Sequence, residues 1–208
     1  MTGTVPALLA ATVEKYGDRE AVFDGELRLT YGELAEAART FAAALVATGV
    51  EPSDRVSIWA PNSARWIIAA LGTFEAGAVL VPVNTRFKGI EAGGILARSK
   101  ARVLVTVTDF LGTNYIELLQ SGGVNLPALE TTVVADGPVA PGTESWDRFL
   151  KRASVESRAE VDRRAAALQP DDAADILFTS GTTGVPKGVV STESPGIVPD
   201  TVPASESP

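Results

Sequence analysis

The sequence predicts an α/β fold built on a largely parallel sheet flanked by helices. Short apolar runs at Arg55–Ala60, Ala78–Val83 and Arg102–Thr106 alternate with segments of helical period. The runs are continuously apolar instead of alternating, as strands covered on both faces are. Strand and helix follow one another along the chain, the pattern of βαβ units.

From the start of the chain, Val5, Leu8, Leu9, Thr12, Val13 and Tyr16 share one helical face, and Gly17 closes that helix. Ala21–Phe23 and Leu27–Thr30 flank Asp24-Gly25, a dipeptide that favours a tight hairpin. Thr30 and Glu33 have capping-box spacing ahead of an Ala-rich helix that runs to Gly49, with Leu34, Ala38, Phe41 and Leu45 as its buried stripe.

After the strand at Arg55–Ala60, Pro61-Asn62-Ser63 opens a helix to about Gly77. A helix over Ile90–Ser99 separates the strands at Ala78–Val83 and Arg102–Thr106. A helix near Asn114–Gln120 and a strand at Thr131–Ala135 come next, then short helices at Ser145–Arg152 and Ser157–Leu168. The last clear strand is Ala174–Thr179. No internal repeat is present.

The 208 residues suffice for one large or two small domains, and 45% apolar against 21% charged residues is a globular composition. With 26 acidic and 18 basic residues the formal charge is −8, which argues against a general affinity for nucleic acid or anionic membrane. The chain has no Cys and no His, so disulfides, thiolate metal sites, thiol catalysis and imidazole bases are excluded from it. No run approaches the roughly 20 apolar residues that span a bilayer. No signal peptide is recognisable, and the expected location is cytoplasmic.

Residues 191–208, STESPGIVPDTVPASESP, contain four of the thirteen prolines and no basic residue. They read as a disordered Pro/Ser-rich tail whose abrupt start resembles a splice or a change of frame. The expected organisation is therefore a partial domain over 1–190 followed by this tail.

Chemistry concentrates at 179–188, TSGTTGVPKG. Gly181, Gly184 and Gly188 allow positive φ and close approach of a ligand. Thr179, Ser180, Thr182 and Thr183 supply hydroxyls, and Lys187 supplies a full positive charge. A loop with successive N–H groups, hydroxyls and one ammonium suits a polyphosphate. It follows a buried strand, so it belongs at the carboxyl edge of the sheet, where α/β proteins bind ligands. It is not a Walker A loop, because Lys187 lies between Pro186 and Gly188.

The run Phe178–Gly188 resembles the signature phosphate loop of the adenylate-forming superfamily, which includes acyl-CoA synthetases, luciferases and peptide-synthetase adenylation domains. Weaker likenesses occur in the family's order: Leu29-Thr30-Tyr31-Gly32-Glu33-Leu34, Gly49-Val50-Glu51-Pro52, Asp54-Arg55-Val56, Trp59-Ala60-Pro61-Asn62, and Ala76-Gly77-Ala78 through Val81-Pro82-Val83-Asn84. Together they resemble the acid–CoA ligase branch, especially fatty-acid and steroid-degradation ligases. The resemblance implies a partial N-terminal AMP-binding domain and a two-step reaction. ATP converts a carboxylate to an acyl-adenylate, and coenzyme A then displaces AMP. By the same resemblance Thr179, Ser180, Gly181, Thr182, Thr183, Gly184 and Lys187 contact the nucleotide phosphates, with Mg²⁺ nearby.

The sequence departs from the family's pattern after the loop. Thr192 is followed by Glu193 where relatives have Thr-His, and the adenine-binding, ribose-binding, hinge and catalytic-lysine motifs have no counterpart. The expectation is that this chain does not complete catalysis. A non-enzymatic nucleotide-binding fragment and a piece of a peptide-synthetase adenylation domain stay open as alternatives.

Elsewhere, Trp59, Trp66 and Trp146 read as packing residues in preference to a pocket lining. Asp171, Asp172 and Asp175 read as a capped helix-to-strand loop, not a metal site. Arg86 is equally an anion contact or a solvated loop residue. Arg158, Arg163 and Arg164, interleaved with Glu156, Glu160 and Asp162, read as a solvated helix face.

Overall fold

A computed structural model describes residues 3–179 and 187–194. The first helix, α1 (Val5–Tyr16), begins at Thr4, whose hydroxyl accepts from the Ala7 N–H, with Pro6 in its first turn. Leu9 and Pro6 face inward while Leu8 is exposed, so the buried stripe is narrower than the periodicity suggests. β1 (Glu20–Asp24) and β2 (Leu27–Thr30) form a separate antiparallel hairpin. Its two-residue loop is Gly25-Glu26, one position later than expected, since Asp24 pairs with Leu27. Gly25 takes the positive φ (61°) that the turn requires.

α2 (Tyr31–Ala47) starts in the expected capping box: Thr30 Oγ1 accepts the Glu33 N–H, and Glu33 Oε2 accepts the Thr30 N–H at 2.8 Å. Leu34, Ala38, Phe41 and Leu45 are buried, as the stripe predicts. β3 (Arg55–Trp59), α3 (Ala64–Glu75), β4 (Val79–Pro82), α4 (Gly89–Ser99), β5 (Val103–Val107), α5 (Tyr115–Ser121) and β6 (Thr131–Asp136) follow in strict alternation. A two-residue strand β7 (Glu144–Ser145), α6 (Trp146–Leu150), α7 (Val155–Ala167), β8 (Ala173–Thr179) and β9 (Lys187–Thr192) complete the described chain.

The main sheet has seven strands in the order β7-β6-β5-β3-β4-β8-β9. Every pairing is parallel except β8 with β9. Val56 sits beside both Leu80 and Val103, so the three apolar runs of the sequence form the centre of the sheet. They are buried because helices cover them: α2, α3 and α7, with α1 and α6, pack together as one group, and α4 with α5 as another.

The core carries an aromatic cluster under each group. Phe41 stacks on Trp146 at 5.1 Å and meets Phe149 at 5.2 Å, while Trp59 stacks on Tyr115 at 4.5 Å. Such contacts add to the area that the rings bury. Trp59 and Trp146 are thus packing residues, as expected.

Two expectations need correction. The chain does not lose order at Ser191: Ser191 and Thr192 pair with Asp175 and Ala173, and Glu193 is buried. Composition averaged over a window hid two residues that pair with β8 and two, Glu193 and Ser194, that bond to the segment before it; positions 195–208 lie outside the described residues. Arg164 is not on a solvated face. It is buried, with its Nη1 donating to Val50 O at 2.7 Å and its remaining nitrogens meeting Glu160 and Glu51. Its neighbour Arg163 stays exposed, as expected.

Candidate functional site

The loop with the phosphate-binding signature is bracketed by β8 and β9. β8 is ordered by its apolar segment Ile176-Leu177-Phe178 and by its place between β4 and β9. It runs parallel to β4, so Thr179 ends it at the carboxyl edge of the sheet. Lys187 opens β9 directly opposite Thr179, and Phe178 lies opposite Gly188. Thr179 and Lys187 are both exposed. Ser180, Gly181, Thr182, Thr183 and Gly184 lie outside the described residues. The described part of the site therefore brings together one hydroxyl and one ammonium at the two ends of the glycine-rich segment.

Gly188 has a packing reason in addition to loop chemistry. A Cβ there would stand 3.0 Å from Ile176 Cγ2 and 3.4 Å from Phe178 Cζ. The missing side chain lets the Phe178 ring lie across the hairpin. On α4, the Arg98 guanidinium lies over that ring at 5.5 Å, a cation–π arrangement.

A cleft of about 410 Å³ opens beside the end of β8, lined by Trp66, Phe87, Leu177 and Phe178 together with Asn62 and Asn84. One wall is the segment from Asn84 to Phe87, and it is held from below. Trp59 Nε1 donates to Asn84 O at 3.0 Å, and the Tyr115 hydroxyl donates to Thr85 O at 3.0 Å. Asn84 Oδ1 accepts the Arg86 N–H at 2.9 Å, which turns the backbone locally. Burial pushes the Tyr115 hydroxyl above its ordinary value of 10, outweighing its bond to Thr85, so it stays a neutral donor. Trp66 packs against the core, as expected, and also lines this cleft, whereas Tyr115 and Phe87 carry no sequence signal for this place. The helix cap Asn114 is legible, but the contact of its neighbour with Thr85, thirty residues away, is not.

Of the acidic trio, Asp171 and Asp172 precede β8, where Asp172 caps the loop, whereas Asp175 lies within the strand. Asp172 Oδ2 accepts the Gln169 N–H at 2.8 Å, and Asp175 Oδ1 accepts from the Ser191 hydroxyl at 3.2 Å. Among the described residues no group of three or more carboxylates converges on a common point. No helix among them is long and apolar enough to cross a membrane.

The sequence matches the model of the AMP-binding enzyme family over residues 9–198. The chain belongs to that family. It is 45% identical over 191 residues to the 3-[(3aS,4S,7aS)-7a-methyl-1,5-dioxo-octahydro-1H-inden-4-yl]propanoyl:CoA ligase of Rhodococcus jostii (strain RHA1), covering 90% of this chain and 37% of the relative. It is 44% identical over 187 residues to the ligase of the same name from Mycobacterium tuberculosis (strain ATCC 25618 / H37Rv), covering 90% and 36%. Among solved structures, the anthranilate CoA ligase AuaEII in complex with anthranoyl-AMP superposes with a TM-score of 0.81 at 26% identity, over 92% of this chain and 35% of that one. The fold is that of the N-terminal domain of adenylate-forming enzymes. The chain spans about 37% of the length of the curated relatives it matches.

Proposed function

We propose that the chain is the phosphate-binding part of an ATP-dependent acid–CoA ligase, organised as a partial adenylation domain over residues 1–190. The observation that carries the reading is the placement of Thr179 and Lys187 opposite one another at the carboxyl edge of the sheet, at the two ends of TSGTTGVPK, in a member of the AMP-binding family. A carboxylate is a poor electrophile. Its attack on the α-phosphorus of ATP forms a mixed anhydride, the acyl-adenylate, and expels pyrophosphate. The thiolate of coenzyme A then attacks the acyl carbon and releases AMP.

In the first step the charge that develops on the leaving pyrophosphate is met by the Lys187 ammonium and by hydroxyl and N–H donors of the loop. Donors aimed at developing charge lower the barrier to its formation. Magnesium enters as the MgATP complex, held chiefly by the phosphates, since Mg²⁺ keeps several waters and needs few protein carboxylates. The acid is of the fatty or steroid-derived class, a reading supported by the fused-ring keto-acid named for the Rhodococcus jostii and Mycobacterium tuberculosis relatives and by the medium-chain acyl-CoA ligase of Danio rerio, 34% identical over 203 residues. The compartment in this reading is the cytoplasm.

Binding by itself tests the loop. Titration of MgATP into the chain should show saturable binding that Lys187→Ala weakens at least tenfold. Equal binding by the two proteins removes the loop from the reading. Taken alone, these 208 residues should bind nucleotide without forming AMP from acid, ATP and coenzyme A; steady AMP release would overturn that part.

A further inference from the structure

We propose that α7 is a salt-released strap, a helix held down by ion pairs that lifts from α2 and α3 as a unit before the rest of the chain unfolds. Its composition sets it apart from the helices it lies against. α2 buries seven apolar residues, whereas of the thirteen residues in α7 only Val161 is both apolar and buried. The other buried positions on that face are Ser157 and Arg164. A helix in a protein is fixed chiefly by burying an apolar stripe, and α7 has almost none.

Charge takes the place of that stripe. On α2, Glu36, Arg39 and Thr40 are three and four positions apart, so they share one side of the helix; Arg158 and Asp162 do the same on α7. Arg158 Nη1 donates to Glu36 Oε1 and its Nη2 to Thr40 Oγ1, both at 2.7 Å. Arg39 pairs with Asp162. Each helix thus supplies one cation and one anion, and the signs match across the contact. Both pairs lie at the surface, with side chains 39% and 54% exposed for Arg39 and Asp162, and 33% and 62% for Arg158 and Glu36. Pairs in such a place are screened by salt, whereas the buried guanidinium of Arg164 is screened much less.

The two ends of α7 are anchored independently of these pairs. Upstream, Trp146 and Phe149 of α6 are fixed against Phe41 in the core. Downstream, the turn at 169–172 is bonded to the end of β9, through Glu193 N–H to Asp172 O and Ser194 N–H to Pro170 O. The helix can therefore lift between two fixed points without unfolding its neighbours, as a local cooperative unit. Its last turn is not closely packed either: a cleft of about 380 Å³ separates Ala167 and Leu168 from Pro52 and Gly77. Lifting bares the carbonyls of Val50 and Ala76, which Arg164 covers, to water. None of this depends on the nucleotide reading.

Native-state hydrogen exchange of the full chain tests the strap, with α3 as the internal reference. The comparison is between roughly 0.1 M and 1 M NaCl, where the screening length falls from about 10 Å to about 3 Å. Exchange at positions 159–167 should quicken at least about threefold, and exchange at positions 68–73 of α3 should change less than that. Arg39→Asp, at an exposed position, should quicken the same α7 amides at the lower salt and blunt their response to the higher. Adding Asp162→Arg to that variant restores the pair with its charges exchanged, and should return α7 to the parent rate. Lost packing would not be recovered in this way. Exchange of α7 that is indifferent to salt, exchange of α7 and α3 that changes in step, or a charge-exchanged pair no slower than Arg39→Asp alone would each overturn the proposal.

Discussion

The N–H of Val5 donates to Glu193 Oε2 at 3.0 Å, joining the first helix to a residue 188 positions later. Thr4 already caps the Ala7 N–H, and Glu193 takes another of the donors that a helix start leaves unpaired. The backbone around it is fixed as well: the Glu193 N–H donates to Asp172 O and the Ser194 N–H to Pro170 O, both at 2.8 Å. α1 is therefore tied to the segment where sequence reasoning expected disorder.

Glu193→Ala should cost about 1–2 kcal/mol, because it leaves a partly buried N–H without an acceptor. Hydrogen exchange should quicken selectively in the first turn of α1. Protection unchanged at Val5 through Leu8 would show that the bond does not anchor the helix. Burial raises the Glu193 carboxyl above its ordinary value, and Asp172 and Asp175 add to that, while the Val5 bond opposes it. Glu193→Gln, which keeps an acceptor without charge, should therefore be better tolerated than Glu193→Ala at neutral pH.

Arg164 joins α7 to the turn after α2. Its guanidinium donates to Val50 O at 2.7 Å and Ala76 O at 3.4 Å, and it pairs with Glu160 and Glu51. Arg164→Ala strands two carbonyls and removes a side chain only 8% exposed, at a cost of about 3 kcal/mol in urea unfolding. Arg164→Lys should recover less than half, since one ammonium cannot reproduce the planar fork of donors. Full recovery by Lys would reduce the role of Arg164 to its charge.

Gly72 lets α2 and α3 approach closely. A Cβ there would meet Ala38 O at 2.5 Å and Phe41 Cδ1 at 2.9 Å. Ala is the better helix former by about 1 kcal/mol, so propensity alone predicts stabilisation. The clash with a backbone carbonyl and a buried ring outweighs it, because neither can move without repacking. Gly72→Ala should lose about 2 kcal/mol net, seen as a lower Tm; a higher Tm would mean that the helices separate at little cost.

Glu75, at the end of α3, is pushed up to about 7 from its ordinary value of 4.5, chiefly by burial. Arg39 opposes the shift, and Asp162 and Glu36 add to it. The native state thus holds this proton more tightly than the unfolded chain does. Its contribution to stability is complete below about pH 4.5 and is lost as pH rises through about 7. Glu75→Gln should match the parent protein at pH 4.5 and exceed it by about 2 kcal/mol at pH 8, a figure already reduced for partial exposure. Parallel pH profiles for the two proteins would contradict the shift.

Much of the fold was legible because its signals are local. Apolar runs named the central strands, Thr30 with Glu33 named a helix start, and the order of glycines, hydroxyls and Lys187 named the loop. The hairpin turn was misplaced by one residue, since Asp24-Gly25 and Gly25-Glu26 both satisfy turn chemistry and only the Asp24–Leu27 pairing selects between them. The wall of the cleft was not legible, because Trp59 and Tyr115 hold Asn84 and Thr85 across 25 and 30 positions.

By itself the sequence determined the α/β class and the parallel centre of the sheet, because each depends on residue type at short spacing. Tertiary structure alone decided that β9 turns back antiparallel along β8, that Thr179 faces Lys187, that Arg164 is inside and that Glu193 holds α1. Those outcomes rest on which distant surfaces meet. A buried charge is tolerated only where remote partners satisfy it, and no local pattern of residues records where those partners stand.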